Sequence, residues 1–387
     1  MAAIPEGLDT ITGMKIEVLK DKDTNYGPGM AGNRNYVMSG LRLGIVGEAA
    51  HAENTTLVGY NADNRSLDPM RDLMNLGSTI SQKVIDRGGF GYDFGGLRTV
   101  TEISFYETGE HTFSQLEVYT SAGVFKFSGD ALPQNPVDGR ISLSLPAEVD
   151  TTYIFIKPTA THSGNPSDLV NISQLEVFTT GGFMPLTNYA LGKTASFGSW
   201  NDPAWPWNDA QPNIWGDRDN AALTDGKMDL YGNVDRCCWY LDEGKKAGNT
   251  WIQLDLGESI WVNTLGLFQN LFSQGQNRKI LEGFQLEFWN GSADYAEINP
   301  EDITTFLFST DPTAEGSLFY EVMYQQISFE DTYAQYMRLT PTQYNQEGNW
   351  WGVAEIQLYN IPEPATWALL LVGVAGLGVA RKRRRLA

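Results

Sequence analysis

The side chains able to do chemistry are few and unevenly placed. Three histidines, His51, His111 and His162, share no motif, and none lies beyond residue 186. An enzyme needs a positioned nucleophile, base or metal. A carboxylate pair for glycoside hydrolysis is defined by its separation in space, and no sequence spacing points to one. The chain therefore reads as a non-enzyme. The two cysteines, Cys237 and Cys238, are adjacent; a bond between neighbours closes a strained ring, so buried thiols are expected rather than a disulfide framework. Tryptophan is the informative residue. All 11 lie at or after position 200. Trp200, Trp205, Trp207 and Trp215 fall in a Pro-, Asn- and Asp-rich stretch that reads as loop, among Asn201, Asp202, Asn208, Asp209 and Asn213. Trp350 and Trp351 follow Gly348-Asn349. Exposed indoles suit the C–H faces of sugars while nearby polar groups take the hydroxyls. Trp205, Trp207 and Trp350 are the expected anchors; the alternative is that these rings plug the ends of a sandwich. Trp239, Trp251, Trp261 and Trp289 sit in or beside predicted strands and read as core.

Short strands must position these groups. Trp251-Ile252-Gln253-Leu254-Asp255-Leu256-Gly257 alternates apolar and polar residues, ends at a glycine turn, and leads to a second strand through Val262, Leu265 and Leu267. Tyr92-Asp93-Phe94-Gly95, followed by Val100, Ile103 and Phe105, repeats that grammar without a gap. Further matches follow in the same order. Leu116-Glu117-Val118-Tyr119 answers Leu286-Glu287-Phe288-Trp289. Tyr153-Ile154-Phe155-Ile156 answers Tyr336-Met337-Arg338-Leu339. Gln174-Leu175-Glu176-Val177-Phe178 answers Glu355-Ile356-Gln357-Leu358-Tyr359. The order implies an internal duplication of one β-rich domain, at 10–182 and 186–360, with a tail at 361–387. Gly181-Gly182 and Pro185 mark the joint. Met14–Leu19 is a candidate first strand, Asn25–Asn35 a loop, and Arg71–Ile85 a short helix. Forty glycines and 17 prolines fit many strands joined by turns.

The formal charge is −20, and that includes five cations at Arg381-Lys382-Arg383-Arg384-Arg385. The body is thus more acidic still, which argues against a nucleic-acid partner, since no basic face offsets phosphate repulsion. Acidity suits solubility and cation binding.

Asn188-Tyr189-Ala190-Leu191-Gly192-Lys193-Thr194-Ala195, Leu223-Thr224-Asp225-Gly226, the strand at Trp251, Tyr336-Met337-Arg338-Leu339 and Trp351-Gly352-Val353-Ala354-Glu355 together resemble a discoidin (coagulation-factor type C) domain. This is a family of galactose-binding-like β-sandwiches. The resemblance covers about 186–360 and reaches the first repeat only through the internal match. It implies an all-β chain of two tandem jelly-roll sandwiches. In discoidin-like sugar-binding modules an early Asp-Gly loop and a late Ala-Glu pair meet around calcium. Carried over, that implicates the Asp225 and Glu355 carboxylates and the Ala354 carbonyl, an oxygen set of the kind calcium takes. This chain departs from the family after Gly226, where the next tryptophan, Trp239, comes late. Asp229, Asn233 and Asp235 are available as further ligands, and the sequence does not choose among them. In the first repeat Gln174 stands where Glu355 does, and no site is expected there.

Pro362-Glu363-Pro364, a 16-residue uncharged run from Ala365 to Ala380, and then Arg381, Arg383, Arg384 and Arg385 around Lys382 form a three-part tail. As a helix the run would span roughly 24 Å, slightly short of a typical hydrocarbon core, and reads as a short transmembrane segment whose basic end stays cytoplasmic. The order resembles the PEP-CTERM sorting tail of Gram-negative bacteria. That resemblance implies an exosortase as partner, the inner membrane before processing, and delivery to the envelope or exopolysaccharide matrix. Residues 1–40 show no basic stretch followed by an apolar core, so no export signal is legible there. The expectation is an envelope-sorted, glycan-binding protein with calcium in its second repeat. The alternative is a structural surface protein that self-associates or binds proteins without a sugar pocket.

Overall fold

A computed structural model describes residues 56–61, 79–86, 88–136, 139–197, 222–226, 228–231, 251–269, 281–310, 319, 322–344 and 353–361. The candidate strand at Met14–Leu19 and the loop at Asn25–Asn35 lie outside them.

The described residues are all-β. The strands in chain order are β1 (Thr56–Asn61), β2 (Thr79–Gln82), β3 (Phe90–Thr108), β4 (Phe113–Thr120), β5 (Gly123–Ser128), β6 (Arg140–Thr161) and β7 (Val170–Pro185). Then come β8 (Ala195–Phe197), β9 (Met228–Tyr231), β10 (Ile252–Gln269), β11 (Leu281–Trp289), β12 (Thr304–Ser309), β13 (Tyr324–Tyr344) and β14 (Val353–Tyr359). The helix expected over Arg71–Ile85 is replaced, where it is described, by β2 and a single 3-10 turn at Val84–Asp86. Thr79-Ile80-Ser81-Gln82 pairs with β7 and sinks Ile80 into the core, so ladder pairing and burial outweigh a weak helical pattern.

Two sheets share one plan. The first runs β2-β7-β3-β6-β4-β5, and the second runs β12-β11-β13-β10-β14. Read in the same direction, β7-β3-β6-β4-β5 corresponds to β14-β10-β13-β11-β12, member for member. Register agrees with the sequence match. Ile103 faces Val177 as Leu265 faces Leu358, and Asp93 faces Tyr153 as Asp255 faces Tyr336. The Leu116 match is displaced. Val118 sits opposite Ile156 where Leu286 sits opposite Leu339, so Val118 corresponds to Leu286, two residues from the alignment read in sequence. A shift of two keeps every side chain on its face, which is why alternation alone could not detect it.

The glycine turns after Asp93 and Asp255 do not end their strands. Each strand continues through a register shift, after Asp93 in β3 and after Asp255 in β10. Asp93 Oδ1 accepts the Gly95 N–H at 2.7 Å, and Asp255 Oδ1 accepts that of Gly257 at 2.8 Å. Both glycines have positive φ, 58° and 86°, which a side chain would strain. A bulge of this kind bends the strand. It lets β3 present Phe90, Tyr92 and Phe94 as well as Ile103 and Phe105 to a single core. β10 does the same with Leu254, Leu256, Leu265 and Leu267.

The repeats are joined by a third buried cluster, in which Val58, Tyr119, Tyr153 and Phe155 meet Met228, Phe268, Val322, Met323, Tyr324 and Ala354. β9, from the second repeat, adds to the first sheet in parallel with β1. Asp93, fully buried, accepts hydrogen bonds from the hydroxyls of Tyr324 (2.6 Å) and Tyr359 (3.1 Å). Tyr153 and Tyr324 meet edge to face at 5.2 Å. Tyr324→Phe should therefore leave Asp93 short of its closest donor and cost about 1–3 kcal/mol. Urea unfolding of the full chain is the check, and an unchanged midpoint would show that this bond contributes nothing.

Candidate functional site

The loop expected to meet the Ala354-Glu355 pair does so. A 3-10 turn at Ala222–Thr224 leads into Asp225 and Gly226. The Thr224 hydroxyl donates to the Lys193 carbonyl, and the Gly192 N–H donates to the Thr224 carbonyl at 2.7 Å, which ties the loop to the opening of the second repeat. Gly226, with φ at 77°, turns its N–H onto Glu355 Oε1 at 2.9 Å. Glu355 lies on β14 opposite Phe268 and is fully buried, whereas Asp225 is exposed at the mouth. Ala354, beside Glu355, is buried in the cluster between the repeats.

Electrostatics set this site apart. Burial pushes the Glu355 carboxyl up to about 9; the Gly226 amide opposes that, while the negative charges of Asp225 and Asp93 add to it. Glu355 Oε2 is buried with no hydrogen-bond partner. A carboxyl in that condition takes up either a proton or a cation. The orphaned oxygen, the Asp225 carboxylate and the neighbouring Ala354 carbonyl are hard oxygen donors of the type calcium prefers. Among the described residues no group of three or more His, Cys, Asp or Glu side chains converges as a metal site. Any ion would thus lean on backbone oxygens or on residues outside the described set. Asn233 and Asp235 lie outside it, and so does the side chain of Asp229. At the matching place in the first repeat, Gln174 sits in β7 with φ at 52° and offers a neutral amide instead of a carboxylate.

The expected sugar anchors Trp205, Trp207 and Trp350 lie outside the described residues, as do the sorting residues Pro362, Glu363, Pro364, Arg381, Arg383, Arg384 and Arg385. Of the tryptophans expected in the core, Trp289 is buried and Trp251 is half-buried under the Arg338 guanidinium, 4.1 Å from its ring centre. Trp261 is a correction. It is 53% exposed and packs against Tyr333, 51% exposed, with ring centres 5.3 Å apart. The reason is alternation: Ile260 and Val262 turn inward, so the residue between them turns out. The alternation Ile260-Trp261-Val262 is visible in the sequence. Trp239 lies outside the described residues. Of the histidines, His111 pairs with Asp168 at 3.3 Å, and the His162 ring bonds the Leu132 carbonyl at 2.8 Å.

Residues 360–385 match the family described as the PEP-CTERM protein-sorting motif. The tail is a PEP-CTERM sorting motif. Among curated proteins no sequence matches the chain. Solved structures similar to it include chitosan-binding module 1 from a chitosanase/glucanase of Paenibacillus sp. IK-5. That match has 19% identity and covers 45% of this chain and 99% of that one, at a TM-score of 0.30. Others are the lectin domain of lectinolysin complexed with Lewis B antigen (19%, 46% and 98%, 0.30) and the family 32 module of C. perfringens NanJ in complex with galactose (15%, 45% and 98%, 0.29). Among the described residues no helix is long and apolar enough to cross a membrane; the uncharged run of this PEP-CTERM tail lies outside them.

The shifted carboxyl carries a pH signature. The folded chain holds the Glu355 proton up to about pH 9, whereas the unfolded chain releases it near the ordinary value of 4.5. Between those values the folded state binds more protons, so its share of stability is full below pH 4.5 and is lost as pH rises toward 9. Glu355→Gln should flatten that decline without calcium, read as melting temperature against pH. An equally steep decline in the variant would place the shift elsewhere.

Proposed function

We propose that this is an envelope-sorted, calcium-stabilised glycan-binding protein built from two discoidin-like jelly-roll sandwiches, divided near 182–186, with the second repeat as the binding module. The observation that carries the reading is Glu355: a buried carboxylate, one oxygen held by the Gly226 amide and the other without a partner, beside Asp225. Those are the residues through which the discoidin resemblance implies calcium. Asp225, Glu355 and the Ala354 carbonyl would hold the ion, which would neutralise the buried charge and fix the 222–226 loop. The PEP-CTERM tail supports export, handling by an exosortase and passage through the inner membrane, with 365–380 as the span. Trp205, Trp207 and Trp350 would supply stacking faces, and the polar residues around them hydrogen bonds. Shallow sugar contacts bind weakly per site. A self-associating surface protein is the second reading, favoured by Leu307, 65% exposed on the edge strand β12.

A glycan-binding screen on the full chain, with calcium and with chelator, tests the first reading. Trp205→Ala, Trp207→Ala and Trp350→Ala should each weaken binding by roughly ten- to a hundredfold, the equivalent of about 1–3 kcal/mol, at an unchanged melting temperature. Calcium should raise the wild-type melting temperature but not that of Asp225→Ala or Glu355→Gln. Concentration-dependent assembly without glycan binding would favour the second reading.

A further inference from the structure

We propose that the exposed Trp261–Tyr333 pair is a membrane-interface contact that seats the second repeat on the lipid surface while the C-terminal tail is inserted. The proposal rests on the reading of 365–380 as a span. Trp261 and Tyr333 are register partners on β10 and β13, both about half exposed, and they form a continuous aromatic patch. The point where the chain leaves the body is fixed beside them. Asn263, two residues along β10 from Trp261, grips both backbone groups of Ile361. Its Nδ2 donates to the Ile361 carbonyl at 2.7 Å, and its Oδ1 accepts the Ile361 N–H at 2.7 Å. The same Nδ2 reaches Asp331 at 2.9 Å, two residues from Tyr333.

Only Pro362-Glu363-Pro364 separates this clamp from the uncharged run that begins at Ala365. Four residue steps reach at most ~14 Å, so an inserted run holds this end of the body close to the headgroups. Further along β10, Phe268 packs into the cluster with the first repeat, seven residues and roughly 23 Å of strand away from Trp261. The first repeat therefore leaves the aromatic patch open. Indole and phenol rings partition to the membrane–water boundary, where an apolar body and a polar edge are both satisfied. Glu258 and Glu330 are exposed nearby, which favours a zwitterionic over an anionic lipid surface.

The test uses the full chain reconstituted in phosphatidylcholine vesicles whose acyl chains are brominated near the headgroup, a quencher of nearby indole emission. Two emitters should be quenched, Trp261 and the tail's Trp367. Trp261→Phe and Trp367→Phe should each remove part of the quenching, and phosphatidylglycerol vesicles should weaken the Trp261 part. If Trp367→Phe removes quenching and Trp261→Phe does not, the tail is inserted and the proposal is wrong. If Trp367→Phe removes none, the span reading fails and the proposal falls with it. Loss of glycan binding in Trp261→Phe, with quenching unchanged, would make the pair a sugar platform instead.

Discussion

Strand β14 is buried along its whole length, and that constraint shapes everything around it. Val353, Ile356 and Leu358 fill the second repeat's own core. The remaining side chains face the Asp225 loop or the first repeat, so Ala354, Glu355, Gln357 and Tyr359 are cut off from water as well. Buried polar groups must find partners or lose free energy. Tyr359 and Gln357 find theirs in the Asp93–Tyr324 network, which crosses from one repeat to the other. Joining the repeats thus depends on satisfying a polar strand face, and the match between Asp93 and two tyrosine hydroxyls does much of that.

Glu355 is the member of that face left incomplete. Its neighbours hold one oxygen only, and two further carboxylates, Asp225 and Asp93, raise the cost of ionising it. The repeats show how duplicated positions separate. Glu107 and Gln269 occupy the same place: each uses a side-chain oxygen to accept the N–H that opens the next strand, of Phe113 in one case and Leu281 in the other. Gln269 does this as a neutral amide. Burial pushes Glu107 up to about 7. At the Gln174/Glu355 pair the substitution is reversed, with the amide in the first repeat and the carboxyl in the second. One scaffold therefore carries a buried acid at different positions of the two copies, Glu107 in the first and Glu355 in the second.

Much of this was legible in the sequence, because period-two alternation and a repeated Asp-x-Gly turn reflect local physics. Most strands and their duplication followed from it, whereas the meeting of Asp225 with Glu355 was implied by the discoidin resemblance alone. The bends in β3 and β10 were not legible, since a bulge preserves the alternation on either side and looks like a break. The two-residue displacement at Val118 escaped for the same reason. The seam between the repeats was hidden more deeply. Nothing local to Asp93 or Tyr324 announces that they meet, and the pairing of β1 with β9 joins segments from different repeats. At Trp261 the outward place in the strand prevails over the apolar character of the ring.

On the proposed reading, the Glu355 site exchanges a proton for a calcium ion. Titration calorimetry of the full chain with calcium at pH 7.5, repeated in buffers of different ionisation enthalpy, counts the protons released on binding. The account predicts release of about one proton per ion, lost in Glu355→Gln and fading as pH rises past about 9. Calcium binding with no proton release, or no binding at all, would contradict it.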